Sequence, residues 1–219
     1  MATANILLFS SFIDNLSMDA RQYAPATQRN REPILDVLTK AIVSPSTILE
    51  IASGTGEHAL FFASRLQSCR WIPSDINSLS LESIIAWQNT LPIDNLDPPL
   101  LIDVSQAGWQ QQLSNRGIGV IVNINMIHIS PWSAGVGLIE GAGKILASGG
   151  ILFLYGPYKR NRQHTALSNA NFDRSLRDRN PQWGIRDLEA VVEVAAENDL
   201  ILQKVVEMPA NNLSVIFSR

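Results

Sequence analysis

A single cysteine, Cys69, stands among 219 residues, so no disulfide can form within the chain and no Cys/His cluster has metal-ligand spacing. No metal site is expected, and a lone thiol suits the cytoplasm. Long apolar runs are also missing. None reaches the roughly 18 residues needed to span a bilayer, and the N-terminal run Ile6 to Ile13 has no Lys or Arg before it, as a signal peptide would. Residues 1–18 read as a variable extension with Met18 as a candidate start, and residues 19–219 as one domain. Basic stripes are absent too: 17 Lys and Arg against 20 Asp and Glu give a net charge of −3, which disfavours nucleic acid as a partner. The densest basic patch, Lys159-Arg160-Asn161-Arg162, reads as a solvated loop.

What is present is enough apolar side chain, 46% of residues, to fill a core. It is arranged as strand-like runs alternating with helical stripes, which predicts a parallel sheet covered by helices on both faces. Strands are expected at Thr47 to Ile51, Arg70 to Ser74, Pro99 to Ile102, Ile118 to Ile124 and Ile151 to Tyr155. Helical stripes follow at Ala59, Phe62, Ala63 and Leu66, at Leu81, Ile84, Ile85 and Leu91, at Leu138, Ala142 and Ile145, and at Leu188, Val191, Val192 and Ala195. The last two strands, Leu202 to Met208 and Leu213 to Phe217, are joined by four residues. A link that short allows only an antiparallel hairpin. Two segments fall outside the alternation, a helix near Asp36 to Ile42 with a polar lead-in from Gln22, and Lys159 to Trp183. Both are expected over the carboxyl ends of the strands, where open α/β sheets bind ligands.

The chemistry concentrates in Glu50-Ile51-Ala52-Ser53-Gly54-Thr55-Gly56-Glu57, between the first strand and the first helix after it. The glycines allow close backbone approach, and Gly54 to Ala59 satisfies the dinucleotide pattern G-x-G-x-x-A. A nicotinamide-dependent oxidoreductase is therefore one reading. Against it, Glu50 and Glu57 flank the helix end where a pyrophosphate wants positive potential. A cationic ligand without phosphate fits better, and S-adenosylmethionine is one. Asp75, ending the second strand, can bind its ribose, while Asp103 and the Val104 amide, ending the third, can meet its adenine.

On these residues the sequence resembles the class I S-adenosylmethionine-dependent methyltransferases, whose first motif is an acid followed by x-G-x-G-x-G. Here Glu50, Ala52, Gly54 and Gly56 occupy it, with Ala52 in place of the first glycine. Gln22-Tyr23-Ala24-Pro25-Ala26, Trp71-Ile72-Pro73-Ser74-Asp75 and Asn125-Met126-Ile127-His128-Ile129-Ser130-Pro131-Trp132 further resemble the methyltransferase-like protein 26 family, of unknown substrate. The resemblance implies a seven-stranded Rossmann-like sheet and a methyl donor bound by Glu50, Ala52, Ser53, Gly54, Gly56, Asp75, Asp103, Val104 and Asn125.

The acceptor has to be sought residue by residue. His128, after the fourth strand, is a candidate general base, and Tyr23, Arg29, Asn30, Tyr155 and Tyr158 are candidates for the acceptor pocket. Asn211-Asn212 reads foremost as a turn. A small molecule or a protein is the expected acceptor, since no D/N-P-P-Y/F tetrapeptide follows the fourth strand. A non-catalytic donor-binding scaffold remains the other alternative. The expected assembly is a monomer or weak homodimer.

Overall fold

The computed structural model describes residues 19–219, so the N-terminal extension lies outside the described residues. Helix α1 (Pro25–Ala41) precedes β1 (Thr47–Ile51), α2 (Glu57–Arg65), β2 (Arg70–Asp75), α3 (Ser78–Gln88) and the short β3 (Leu100–Leu101). The chain then crosses to β4 (Ile118–Ile124), α4 (Trp132–Ile145) and β5 (Ile151–Gly156). A small sheet of β6 (Tyr158–Arg160), β7 (Gln163–His164) and β8 (Arg186–Asp187) surrounds α5 (Leu167–Arg179). Helix α6 (Leu188–Ala196) leads into β9 (Ile201–Met208) and β10 (Asn212–Ser218).

The main sheet has seven strands in the order β3-β2-β1-β4-β5-β10-β9. Strands β1 to β5 pair in parallel, and β10 is antiparallel to both β5 and β9, as the four-residue link requires. Each central strand is buried on both faces, so its alternate side chains feed two cores. Ile48, Val120, Val122, Phe153 and Ile216 pack under α1 and α2 with Ile34, Leu38 and Phe62. Leu49, Ile121, Leu152, Val215 and Phe217 face the other way, onto Leu138, Ala142 and Val191 of α4 and α6.

One element begins well before its expected position. Helix α1 starts at Pro25 rather than near Asp36 and carries Pro33 in its interior. A proline inside a helix removes a backbone bond and costs about 3 kcal/mol, which is why the sequence suggested a later start. Burial of Ile34 and Leu38, both 0% exposed, offsets that cost, and Pro25 is well placed in the first turn. The basic patch is answered by acids: Lys159 pairs with Asp173 at 3.2 Å, and the Asn161 and Arg162 amides donate to Glu189 and Asp187 at the tip of the β6–β7 hairpin. No helix among the described residues is long and apolar enough to cross a membrane.

Helix α4 approaches its neighbours through glycines. A methyl group on Gly141 would run into the Trp109 ring, whose indole N–H donates to the Gly137 carbonyl at 2.9 Å. Gly141→Ala should therefore lower stability by about 1–3 kcal/mol through overpacking, read as a lower urea midpoint; an unchanged midpoint would mean that Trp109 is free to move aside.

Candidate functional site

The turn after β1 has three residues in the left-handed region, Ala52 (φ 58°), Gly54 (φ 57°) and Gly56 (φ 87°). Gly56 is needed for packing, since a Cβ there would lie 2.8 Å from the Cα of Ile84 on α3. Gly54 is different: a Cβ there would meet nothing within 4 Å. Its outer face is open to a ligand. Ala52 adopts a conformation costing an L-residue roughly 1–2 kcal/mol, at the position where the resembled motif has glycine.

Asp75 fixes this turn from the end of β2. Its Oδ2 accepts the Gly54 amide and its Oδ1 the Asn77 amide, both at 2.9 Å. A carboxylate has about four lone-pair sites, so two remain for ligand hydroxyls. Ser53 and Ser74 cross-link the same strand ends, with Ser53 N donating to the Ser74 carbonyl at 2.8 Å and Ser74 Oγ to the Glu50 carbonyl at 2.7 Å.

The two glutamates of the motif point into packed layers. Glu50 is 1% exposed and accepts the Trp71 indole N–H at 2.9 Å. Burial pushes its carboxyl up to about 7, against the Trp71 and Ser53 hydrogen bonds and with a further push from the Asp75 charge. Glu57 accepts the Ala24 amide at 2.6 Å and the Thr55 hydroxyl at 3.0 Å. It thereby ties the start of α1 to the glycine turn. Around it Gln22 N donates to Ser83 Oγ, Ser83 Oγ to the Thr55 carbonyl, and the Trp87 indole to the Gln22 carbonyl. Asp103 sits at the end of β3 with Ser105 and Gln106 donating to it. Burial opposes its ionisation, yet those bonds hold it below the ordinary carboxylate range. Val104 is buried, its carbonyl against Gly137.

Beyond the turn, the ends of β4 and β5 open into a cleft of about 810 Å³. Its floor is Asn125, His128 and Tyr155, and α1 contributes Arg29 and Asn30. The opposite wall is α5, with Ser168, Asn169 and Phe172, and the Pro209 to Asn212 turn closes the side. Asn125 takes φ 67° directly after β4, a conformation asparagine tolerates. His128 is seated against Gly156, where a Cβ would come within 2.9 Å of its ring, and stands edge-on to Phe172 at 5.7 Å. Burial and the Arg186 charge pull its pKa down to about 3. The ring is neutral near pH 7, and its low basicity suits a hydrogen-bond acceptor better than an efficient general base.

Two expected pocket residues lie elsewhere. Tyr23 is 59% exposed and packs edge-on to Trp87 at 5.1 Å, on the outer side of the N-terminal clasp. Tyr158 is fully buried in the core under α6, and burial raises its hydroxyl. It lies three positions after Tyr155, and an odd offset along extended chain puts side chains on opposite faces. The segment Lys159 to Trp183 was expected over the strand ends, and α5 within it does line the cleft, but no local pattern singles out Phe172, Ser168 and Asn169 as the side chains that face it. Arg186 escaped for the same reason: it donates to the carbonyls of Ile127, Ser130 and Gln182, holding the His128 loop.

A seven-stranded sheet whose penultimate strand in space is antiparallel, a glycine turn after β1 and an acid closing β2 together define the class I methyltransferase fold. Solved structures agree in fold. An O-methyltransferase family protein from Burkholderia thailandensis matches with TM-score 0.75 at 13% identity, over 89% of this chain and 57% of its own. Human N-acetylserotonin methyltransferase, solved with its methyl donor, matches with TM-score 0.70 at 11% identity, over 89% of this chain and 52% of its own. The chain thus spans little more than half of those proteins. A Galdieria sulphuraria protein provisionally classed as a sarcosine dimethylglycine methyltransferase matches over 91% of this chain and 92% of its own, with TM-score 0.68 at 12% identity. The chain belongs to the family described as "Protein of unknown function (DUF938)", whose model matches residues 21–219.

Glu50 offers a direct test of the buried geometry. An acid whose folded pKa lies above its unfolded value of 4.5 stabilises the protein fully below that value, and the contribution is lost as pH rises through about 7. Glu50→Gln keeps an acceptor for Trp71 and cannot ionise. Relative to wild type it should gain on the order of 3 kcal/mol between pH 4.5 and pH 8, measured by urea unfolding across that range; parallel curves would refute suppressed ionisation of Glu50.

Proposed function

We propose that this protein is an S-adenosylmethionine-dependent methyltransferase acting on a small molecule or protein. The observation that carries the reading is the open face of Gly54 beside an Asp75 carboxylate that keeps unused acceptor sites, next to a largely apolar cleft with a few polar groups at the ends of β4 and β5. Two phrases that resemble the methyltransferase-like protein 26 family contribute to this geometry: Gln22 and Ala24 make bonds of the clasp, and Asn125, His128 and Ile129 line the cleft.

When bound, S-adenosylmethionine supplies a methyl group on a positively charged sulfur. Gly54, Gly56 and Ser53 would cradle it, Asp75 would accept from the ribose hydroxyls, and Asp103 with Val104 would border the adenine. Asn125, which follows β4 and lines the cleft, would stand between donor and acceptor. His128, neutral and fixed by Arg186, would accept a hydrogen bond from the acceptor's nucleophilic group and so orient it, the alignment that in-line displacement requires.

Calorimetry should show S-adenosylhomocysteine binding and no NAD binding. Asp75→Asn should weaken S-adenosylhomocysteine by roughly 10- to 100-fold, the usual effect of removing a charged hydrogen-bond acceptor, with the cooperative thermal transition retained. NAD binding without S-adenosylhomocysteine binding would overturn the reading in favour of a dehydrogenase.

A further inference from the structure

The cleft between α1, α5 and the Pro209 to Asn212 turn has a charge pattern that restricts what it can hold. Of its lining residues only Arg29 is charged at neutral pH, and none is Asp or Glu. Arg29 is exposed and pairs with no acid among the described residues. An ammonium-bearing acceptor would find a cation at the rim and no carboxylate to receive it. A phosphate dianion would meet one cation where two are normally needed. A carboxylate matches a single guanidinium fork in both charge and shape.

The remaining polar groups divide in two. Those of the far wall are committed to one another: Asn169 Nδ2 donates to Thr165 Oγ1 and the Asn211 carbonyl, Asn211 Nδ2 to Ser168 Oγ, and Asn212 Nδ2 to the Pro209 carbonyl. They hold the wall in shape. Groups at the strand ends keep capacity: the Asn125 amide makes no side-chain bond among the described residues, and His128 Nδ1 is buried without a partner. These are neutral, and a neutral hydroxyl is what they match. Phe172, Ile129 and Pro157 supply apolar surface between the two ends. The volume, about 810 Å³, lies within the roughly 300–1,000 Å³ usual for small-ligand sites, and a cavity walled on three sides suits a small molecule rather than a folded protein surface.

Building on the methyltransferase reading, we propose that the acceptor is a small carboxylic acid with an apolar body and a free hydroxyl, its carboxylate held by Arg29 and its hydroxyl presented to Asn125 and His128. In the transfer the hydroxyl oxygen forms the new C–O bond while the methyl carbon's bond to sulfur breaks, its electron pair staying on sulfur. The hydroxyl proton is released to water at the open mouth of the cleft, His128 orienting the hydroxyl without holding its proton.

The test is calorimetry at saturating S-adenosylhomocysteine with 4-hydroxyphenylacetate and 3-(4-hydroxyphenyl)propanoate, their methyl esters, and tyramine, whose ammonium replaces the carboxylate. The acids should bind at least roughly 10-fold more tightly than the esters, with tyramine weakest. Arg29→Gln should erase the preference for acid and Arg29→Lys restore part of it, both leaving S-adenosylhomocysteine affinity unchanged. Esters binding as well as acids, tyramine binding best, or no acid binding while S-adenosylhomocysteine binds would overturn the acceptor class and leave the donor reading standing. Loss of S-adenosylhomocysteine affinity in Arg29→Gln would assign the guanidinium to the donor instead. If S-adenosylhomocysteine fails to bind wild type, the donor reading itself falls.

Discussion

The molecule is organised by a constraint of parallel sheets: each strand must return by a crossover, and the crossovers leave the central pair in opposite directions. From β1 the chain winds outward through β2 to β3, and from β4 it winds the other way to β5. The connections after β1 and β4 therefore diverge, and a crevice opens between them that no helix fills. Several of the candidate polar groups border that crevice or the cleft beside it. The glycine turn lines it because it follows β1, Asp75 because β2 is the next strand, and Asn125 and His128 because they follow β4.

Within the crevice, rigidity comes from backbone amides held by side chains rather than from apolar packing. The Gly54 amide on Asp75, the Asn77 amide on the same carboxylate and the Ala24 amide on Glu57 each satisfy a donor that loop geometry would otherwise leave unpaired. Apolar contact takes over one layer down, where Gly56 lets α2 meet α3 at Ile84. The site is thus a thin polar lattice laid on a close-packed base.

Much of this was legible in the sequence. The runs at Thr47 to Ile51 and Ile118 to Ile124 coincide with β1 and β4, and the short link before Leu213 required the antiparallel hairpin. Such features are local, fixed by periodicity and chain reach. The positions of Gly54, Asp75 and Asp103 could be read for a related reason, since they sit just beyond strands whose positions the periodicity sets. What stayed hidden depends on long-range placement. Pro33 masked the first half of α1 because tertiary burial overrode propensity. Tyr158 and Tyr23 were misplaced because an aromatic beside a strand end can turn either way. Phe172 and Arg186 could not be found, because the contact of α5 with His128 and the reach of Arg186 to the Ile127 carbonyl join segments far apart in sequence.

The clasp formed by Gln22, Ala24, Glu57, Thr55 and Ser83 has a thermodynamic consequence. The first turn of α1 and the glycine turn share hydrogen bonds, so ordering either one lowers the entropic cost of ordering the other. Arg29 and Asn30 ride on that same helix and line the cleft. The clasp thereby ties the position of the helix that carries Arg29 and Asn30 to the conformation of the glycine turn, so a displacement of either one is felt by the other.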